Sequence, residues 1–227
     1  MIFQGRIYVN STLSLFWREK LKKDGLFITF EGADGSGKTT QLKMLEEYLK
    51  SKNKDFITTR DPGGTRLGTK LREILLNYDG KIAPFCELFL YLADRAQHVD
   101  EVLIPSLNNG KIVLCDRYID STLAYQGYAR GLNTDEIINL NNLVTHSLIP
   151  DLTLLFDIET GIAMKRIGDH KDRLESEAAH FHEKVRMGYL DLAKKDPERI
   201  IVIDASKSID EVYSKVITII NKFIQEI

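Results

Sequence analysis

Two rhythms of apolar and polar residues alternate along this chain. Apolar runs of strand length lie at Leu26–Phe30, Asp55–Thr59, Lys111–Cys115, Asp151–Asp157 and Arg199–Asp204. Their bulk and β-branching, nearly without alternation, predict strands buried on both faces. Between them, apolar residues recur at helical spacing. Leu42, Leu45, Tyr48 and Leu49 predict a helix over Gln41–Lys52, and Leu67, Leu71, Ile74 and Leu75 predict another ending near Asn77–Gly80. Leu88, Leu92, Ala96, Val99 and Leu103 predict one long helix from Pro84 to the stop at Asn108-Asn109-Gly110. Ser121–Tyr128 reads as a helix or turn. Thr134 reads as the N-cap of a helix carrying Ile137, Ile138, Leu140, Leu143 and Val144. Further helices are expected over Ile158–Ile167, Leu174–Lys195 and Ile209–Ile224.

Strands alternating with helices predict an α/β fold: a three-layer sandwich with a five-stranded parallel sheet and helices on both faces. Ligands of such sheets collect beyond the carboxyl ends of the strands. The chain has 227 residues, 43% of them hydrophobic and 28% charged, which suits one domain with a full core over residues 26–227. Residues 1–25 read as an N-terminal extension expected to be poorly ordered. A signal peptide is disfavoured there, because Gln4, Arg6, Asn10 and Ser11 break the apolar stretch and no small-residue cleavage site follows. No run approaches the ~18 apolar residues of a membrane helix. A net charge of −2 gives no global pull toward nucleic acid or an anionic membrane, so phosphate chemistry would need positive charge concentrated locally. Cys86 and Cys115 form no metal-ligand spacing, and the composition suits a reducing cytoplasm.

Candidate chemistry begins where the first strand ends. Gly32-Ala33-Asp34-Gly35-Ser36-Gly37-Lys38-Thr39 fits G-x-x-x-x-G-K-[ST], set between a predicted strand and helix as a phosphate-binding loop requires. Glycines let the backbone close on an anion, and the loop N–H groups and helix N-terminus cradle its oxygens. Lys38 adds a mobile cation near the β- and γ-phosphates, and Thr39 offers a hydroxyl to Mg²⁺. Asp116 ends another strand, where such proteins place a carboxylate for Mg²⁺, and Arg117 beside it suits bidentate phosphate binding. Asp61-Pro62-Gly63-Gly64 also fits the D-x-x-G of nucleotide-dependent switches, but no N-K-x-D base-reading motif follows. Tyr91 and Arg95 are i,i+4 neighbours on one helix face. His170, His180 and His182 are not read as a metal site, since His180 and His182 diverge at a spacing of two on a helix.

Four segments together resemble bacterial thymidylate kinases, within the P-loop nucleoside monophosphate kinase group. They are FEGADGSGKTTQ (Phe30–Gln41), TRDPGGT (Thr59–Thr65), LYLADRAQH (Leu90–His98) and DRYIDSTLAYQG (Asp116–Gly127). The resemblance runs from about Leu26 to the C-terminus. It implies ATP-dependent phosphorylation of dTMP to dTDP with Mg²⁺, in the cytoplasm and as a homodimer through the Phe85–Leu107 region. ATP would bind at Gly32 to Thr40 and beside Ala205. On the dTMP side, Asp34 would approach the deoxyribose 3′-hydroxyl, and Arg60 and Pro62 would lie in the acceptor turn. Tyr91 stands where the family usually has a stacking Phe, Arg95 would meet the acceptor phosphate or base region, and Arg117 would bridge donor and acceptor phosphates. Ser121, Thr122, Tyr125 and Gln126 would line the thymidine pocket. Lys165–Glu175 resembles the family lid, at about residues 165–176. The loop carries no arginine between its glycines, so the resemblance implies that Arg166 and Arg173 supply catalytic charge, with Arg173 in the better-matching position. The readings that compete are another nucleoside monophosphate or deoxynucleoside kinase, and a regulatory nucleotide-binding switch.

Overall fold

The computed structural model describes residues 24–167 and 172–225. The expected extension (apart from residues 24 and 25) and the Gly168–Lys171 part of the lid, with His170, lie outside the described residues.

Five strands form one parallel sheet in the order β2-β3-β1-β4-β5. They are β1 (Leu26–Glu31), β2 (Phe56–Arg60), β3 (Ile112–Asp116), β4 (Leu152–Asp157) and β5 (Ile200–Asp204). Because successive strand residues face opposite ways, β1 splits its side chains between two cores. Leu26, Ile28 and Phe30 pack with α1 (Lys38–Ser51) and the C-terminal helix, through residues such as Leu45, Leu49, Val216 and Ile220. Phe27 faces the other layer, with Val99, Leu103, Leu107 and Tyr118. Thr29 and Glu31 follow Phe27 at the same spacing and are fully buried. The expected three-layer α/β sandwich is the observed architecture.

The remaining helices are α2 (Arg66–Asn77), α3 (Pro84–His98), α4 (Ile104–Asn108), α5 (Ile119–Thr122), α6 (Thr134–Val144), α7 (Thr160–Ile167), α8 (Ala179–Lys195) and α9 (Ile209–Gln225). The single helix expected from Pro84 to Asn108 is instead α3, a π-helical stretch at Val99–Leu103, and α4. A second π-helical stretch, Leu123–Ala129, extends α5 and turns Ala124 and Tyr125 into the core beneath α8. Wider turns of this kind gather at functional sites, and neither has a periodicity signal in the sequence. The helix expected from Leu174 starts only at Ala179. Asp172 Oδ1 accepts from the backbone N–H groups of Leu174 and Glu175, both at 2.8 Å, and this local turn outcompetes the helix. Among the described residues, no helix is long and apolar enough to cross a membrane.

Asn133, not Thr134, caps α6: its side-chain oxygen accepts from the N–H groups of Asp135 and Glu136. Asn133→Ala should therefore cost about 1 kcal/mol in urea denaturation, whereas Thr134→Ala should change stability by less than half of that.

Candidate active site

The loop between β1 and α1 is shaped by backbone that L side chains rarely adopt. Gly35 has φ 78° and a Cβ there would meet the Ala163 carbonyl oxygen at 2.3 Å; Gly37 has φ 90° with open space beside it. No side chain caps the start of α1. Its first N–H groups are thus available to an anion. Lys38 is buried and turns back on the loop, donating from Nζ to the Gly32 and Ala33 carbonyls at 3.0 and 2.9 Å. Burial and the nearby Arg117 push its ammonium down to about 8, against the pull of Asp34, Asp116 and Glu31. Thr39 and Thr40 are exposed in the first turn. Ser36 Oγ is buried and without a hydrogen-bond partner.

Asp116 and Arg117 follow β3 at the same end of the sheet. Asp116 Oδ1 is buried and lacks a hydrogen-bond partner. An orphaned carboxylate oxygen and an exposed threonine hydroxyl are hard-oxygen donors of the kind Mg²⁺ uses. Arg117 holds a left-handed backbone, φ 69°, and its N–H donates to the Phe30 carbonyl at 3.0 Å. Its Nη2 donates to Asp34 Oδ1 at 2.5 Å, and its Nη1 reaches the Gly32 carbonyl at 3.0 Å, Tyr189 Oη at 3.1 Å and Ser121 Oγ at 3.3 Å. The guanidinium lies 5.2 Å above the Tyr125 ring, whose hydroxyl donates to Asp34 Oδ2 at 3.1 Å. Burial works against the Asp34 charge, but Arg117 and Lys38 outweigh it and hold the carboxyl well below the usual range.

Beside this pair opens a cleft whose walls gather charged, hydroxyl and aromatic side chains. It is lined by every expected acceptor-side residue except Arg60, which is exposed at the end of β2. Arg95 differs from expectation in its commitments. It is 1% exposed, and five acceptors meet its five N–H groups. Nε and Nη2 donate to the two Asp61 oxygens, both at 2.9 Å; Nη2 also donates to the Tyr118 carbonyl, and Nη1 to Thr122 Oγ1 and Asn141 Oδ1. No N–H is left for a phosphate in this arrangement. The guanidinium instead fixes the DPGG turn, together with Asp94, which accepts from the Gly63 N–H, and His98, which shares a hydrogen bond with Thr59. Burial and the facing Asp61 push the Asp94 carboxyl up to about 6. Burial opposes the Asp61 charge, but Arg95 and His98 outweigh it and lower its pKa.

The two lid arginines are held apart. Arg166 Nη1 donates to the Ala205 carbonyl at 3.2 Å. Arg173 Nε donates to the Leu75 carbonyl at 2.8 Å, and its Nη2 lies 2.6 Å from Glu87 Oε2, at ion-pair distance. Glu87 is buried and also binds Gln126 and Arg130. Burial opposes its charge, and Arg130, Gln126 and Arg173 together hold its pKa below the usual value. His182 is buried against Phe181, and His180 is exposed. Sequence reasoning passed over Glu31, Arg72, Glu87, Asp172, Leu174 and Tyr189. Glu31 alone carried a signal, as a carboxylate closing an apolar strand directly before the loop; the others reach the site only through tertiary packing.

Asp61→Asn would leave the buried Arg95 without its counter-charge. It should lower the free energy of unfolding by about 3–5 kcal/mol in guanidinium denaturation.

A family model described as "Thymidylate kinase" matches residues 30–216. A thymidylate kinase of Sulfurihydrogenibium sp. (strain YO3AOP1) is 50% identical over 194 residues, 85% of this chain and 95% of that protein. One from Caldanaerobacter subterraneus subsp. tengcongensis is 47% identical over 202 residues, 88% and 97% of the two chains. The crystal structure of thymidylate kinase from Ehrlichia chaffeensis superposes with a TM-score of 0.72 at 40% identity, over 87% of this chain and 98% of that one. With a glycine loop, a strand-end Asp-Arg pair and an adjoining cleft in one α/β sandwich, the chain belongs to the thymidylate kinase family.

Proposed function

We propose that phosphoryl transfer from ATP to dTMP, ATP + dTMP ⇌ ADP + dTDP, takes place across the Asp34–Arg117 pair. The observation that carries this reading is that one guanidinium touches both the phosphate loop, at Gly32 and Asp34, and the cleft, at Ser121. The loop N–H groups and the start of α1 hold the donor phosphates. Lys38, still protonated at neutral pH, moves from the Gly32 and Ala33 carbonyls onto them. Thr39 and Asp116 would hold Mg²⁺, which when bound neutralises charge on the donor phosphates. An oxygen of the dTMP phosphate forms the new bond to the γ-phosphorus, while the bond from that phosphorus to the β–γ bridging oxygen breaks and ADP leaves. The attacking oxygen is already anionic, so the protein aligns the partners and neutralises charge without needing a strong base.

Asp34 and Tyr125 meet in the wall of the cleft and suit the sugar of dTMP, with Tyr91, Thr122 and Gln126 lining the same cleft and suited to the base. Arg95 supports this pocket from beneath by holding Asp61 and Thr122. Arg166, resting on Ala205, suits a donor-side role. Arg173, anchored by Glu87 and Leu75, ties the lid to the acceptor cleft. A switch reading is disfavoured because the D-x-x-G aspartate is locked in a buried ion pair. A homodimer through α3 is supported by Phe85 and Phe89, which are stacked and more than half exposed. A cytoplasmic setting is supported by the free thiols Cys86 and Cys115.

A coupled ADP-release assay should show turnover dependent on dTMP, with dTMP preferred over dUMP, dCMP, dGMP and thymidine; ADP release indifferent to dTMP would overturn the proposal. In the same assay Lys38→Ala should lower kcat at least ~100-fold, and Arg117→Ala should lower kcat even with dTMP saturating. Sedimentation of Phe85→Glu/Phe89→Glu should show a monomer where the native chain sediments as a dimer.

A further inference from the structure

Glu31 closes β1, one residue before the phosphate loop, and is fully buried. A carboxylate in that position is costly to bury unless every oxygen is used. Oε1 accepts from the Tyr118 backbone N–H at 2.7 Å. Oε2 accepts from Ser121 Oγ at 2.6 Å and from Tyr189 Oη at 2.8 Å. These hydroxyls lie 2.7 Å apart, and Arg117 Nη1 donates to both. A hydroxyl has a single hydrogen, so donation has a direction here. It runs from the guanidinium to the two hydroxyls and ends on Oε2, because an ionised Glu31 can only accept. On its other side the guanidinium is drawn to Asp34, and its backbone sits in a region that non-glycine residues rarely occupy. Without the relay through Ser121 and Tyr189, Asp34, the Gly32 carbonyl and the Tyr125 ring would set its direction.

We propose that Glu31 is a positioning residue for Arg117, acting through the hydroxyls of Ser121 and Tyr189 to aim the guanidinium at the acceptor phosphate. Tyr189 belongs to α8, the helix that follows the lid, so this contact also ties that helix to Arg117. The proposal rests on the reading that Arg117 meets the dTMP phosphate. Burial and Asp120 push the Glu31 carboxyl up to about 7, against Arg117, Ser121 and Tyr189. At pH 8 the carboxylate therefore predominates.

The test uses the full-length chain at pH 8, with dTMP and thymidine titrated separately by calorimetry in the absence of ATP. Glu31→Gln keeps the shape. The amide oxygen must face the Tyr118 N–H, so its NH₂ donates to the hydroxyls and turns their hydrogens against Arg117. The dissociation constant for dTMP should rise roughly tenfold, while that for thymidine, which has no phosphate, should stay within about twofold. Tyr189→Phe keeps the ring and removes one hydroxyl, and should weaken dTMP binding about threefold with thymidine unchanged. Unchanged dTMP affinity in Glu31→Gln, or equal losses for dTMP and thymidine, would overturn the proposal. If Glu31→Gln does not fold, native dTMP affinity in Tyr189→Phe overturns it. Arg117→Ala tells the two roles apart. If this substitution leaves dTMP affinity unchanged, or weakens dTMP and thymidine equally, the phosphate role of Arg117 falls and this inference with it. If it weakens dTMP selectively and Glu31→Gln does not, Glu31 alone loses its role.

Discussion

The ion pair between Arg117 and Asp34 is the contact on which the site depends. It joins two segments far apart in sequence, the loop after β1 and the turn after β3, and places one cation at the boundary of a phosphate loop and a cleft. The surroundings are built to hold that charge. Lys38 brings a second cation, and Asp34, Asp116 and Glu31 bring carboxylates that offset the two cations. Burial makes each pairing stronger and each unpaired atom more costly. The unpartnered Asp116 oxygen and the uncapped start of α1 are therefore informative, since both are polar groups left without a side-chain partner.

Helix α3 organises the cleft as the glycine loop organises the start of α1. Glu87, Tyr91, Asp94, Arg95 and His98 recur along one stripe, and most of them are buried. A polar stripe in a core is tolerated only when it is satisfied. Here Glu87 gathers Gln126, Arg130 and Arg173, while Asp94, Arg95 and His98 grip the DPGG turn. One rigid element thereby sets the wall of the cleft, the turn at its edge and the anchor of the lid segment. The wide π-helical turn just after α5 complements it by swinging Tyr125 and Gln126 toward the same space.

Much of this was legible in the chain itself. Periodicity located all five strands and most helices, because a sheet covered on both faces needs continuous apolar runs and each covering helix needs an apolar stripe. The glycine loop was legible because phosphate binding demands particular backbone angles and a lysine at a fixed offset, and both are local requirements. The α6 cap was misplaced by one residue, since Asn133 and Thr134 can each accept from the first-turn N–H groups and only the chain path chooses between them.

What the sequence could not reveal was the division of labour among its arginines. Arg95, Arg117, Arg166 and Arg173 are the same chemical group, and the family resemblance implied a phosphate-binding, base-side or catalytic role for each. Tertiary structure separated them by the acceptors it brought near. Asp61 and its neighbours occupy all of Arg95, Glu87 and Leu75 hold Arg173, and Ala205 holds Arg166. Arg117 alone of the four is shared between the loop and the cleft. Tyr189 was silent for the same reason: its hydrogen bond to Glu31, 158 positions away, exists only after the sheet and α8 have packed. Local sequence therefore determined which elements form and where a phosphate loop lies, because those depend on neighbours along the chain. Which acceptors each cation meets depends on distances across the fold, and only the packed structure decided that.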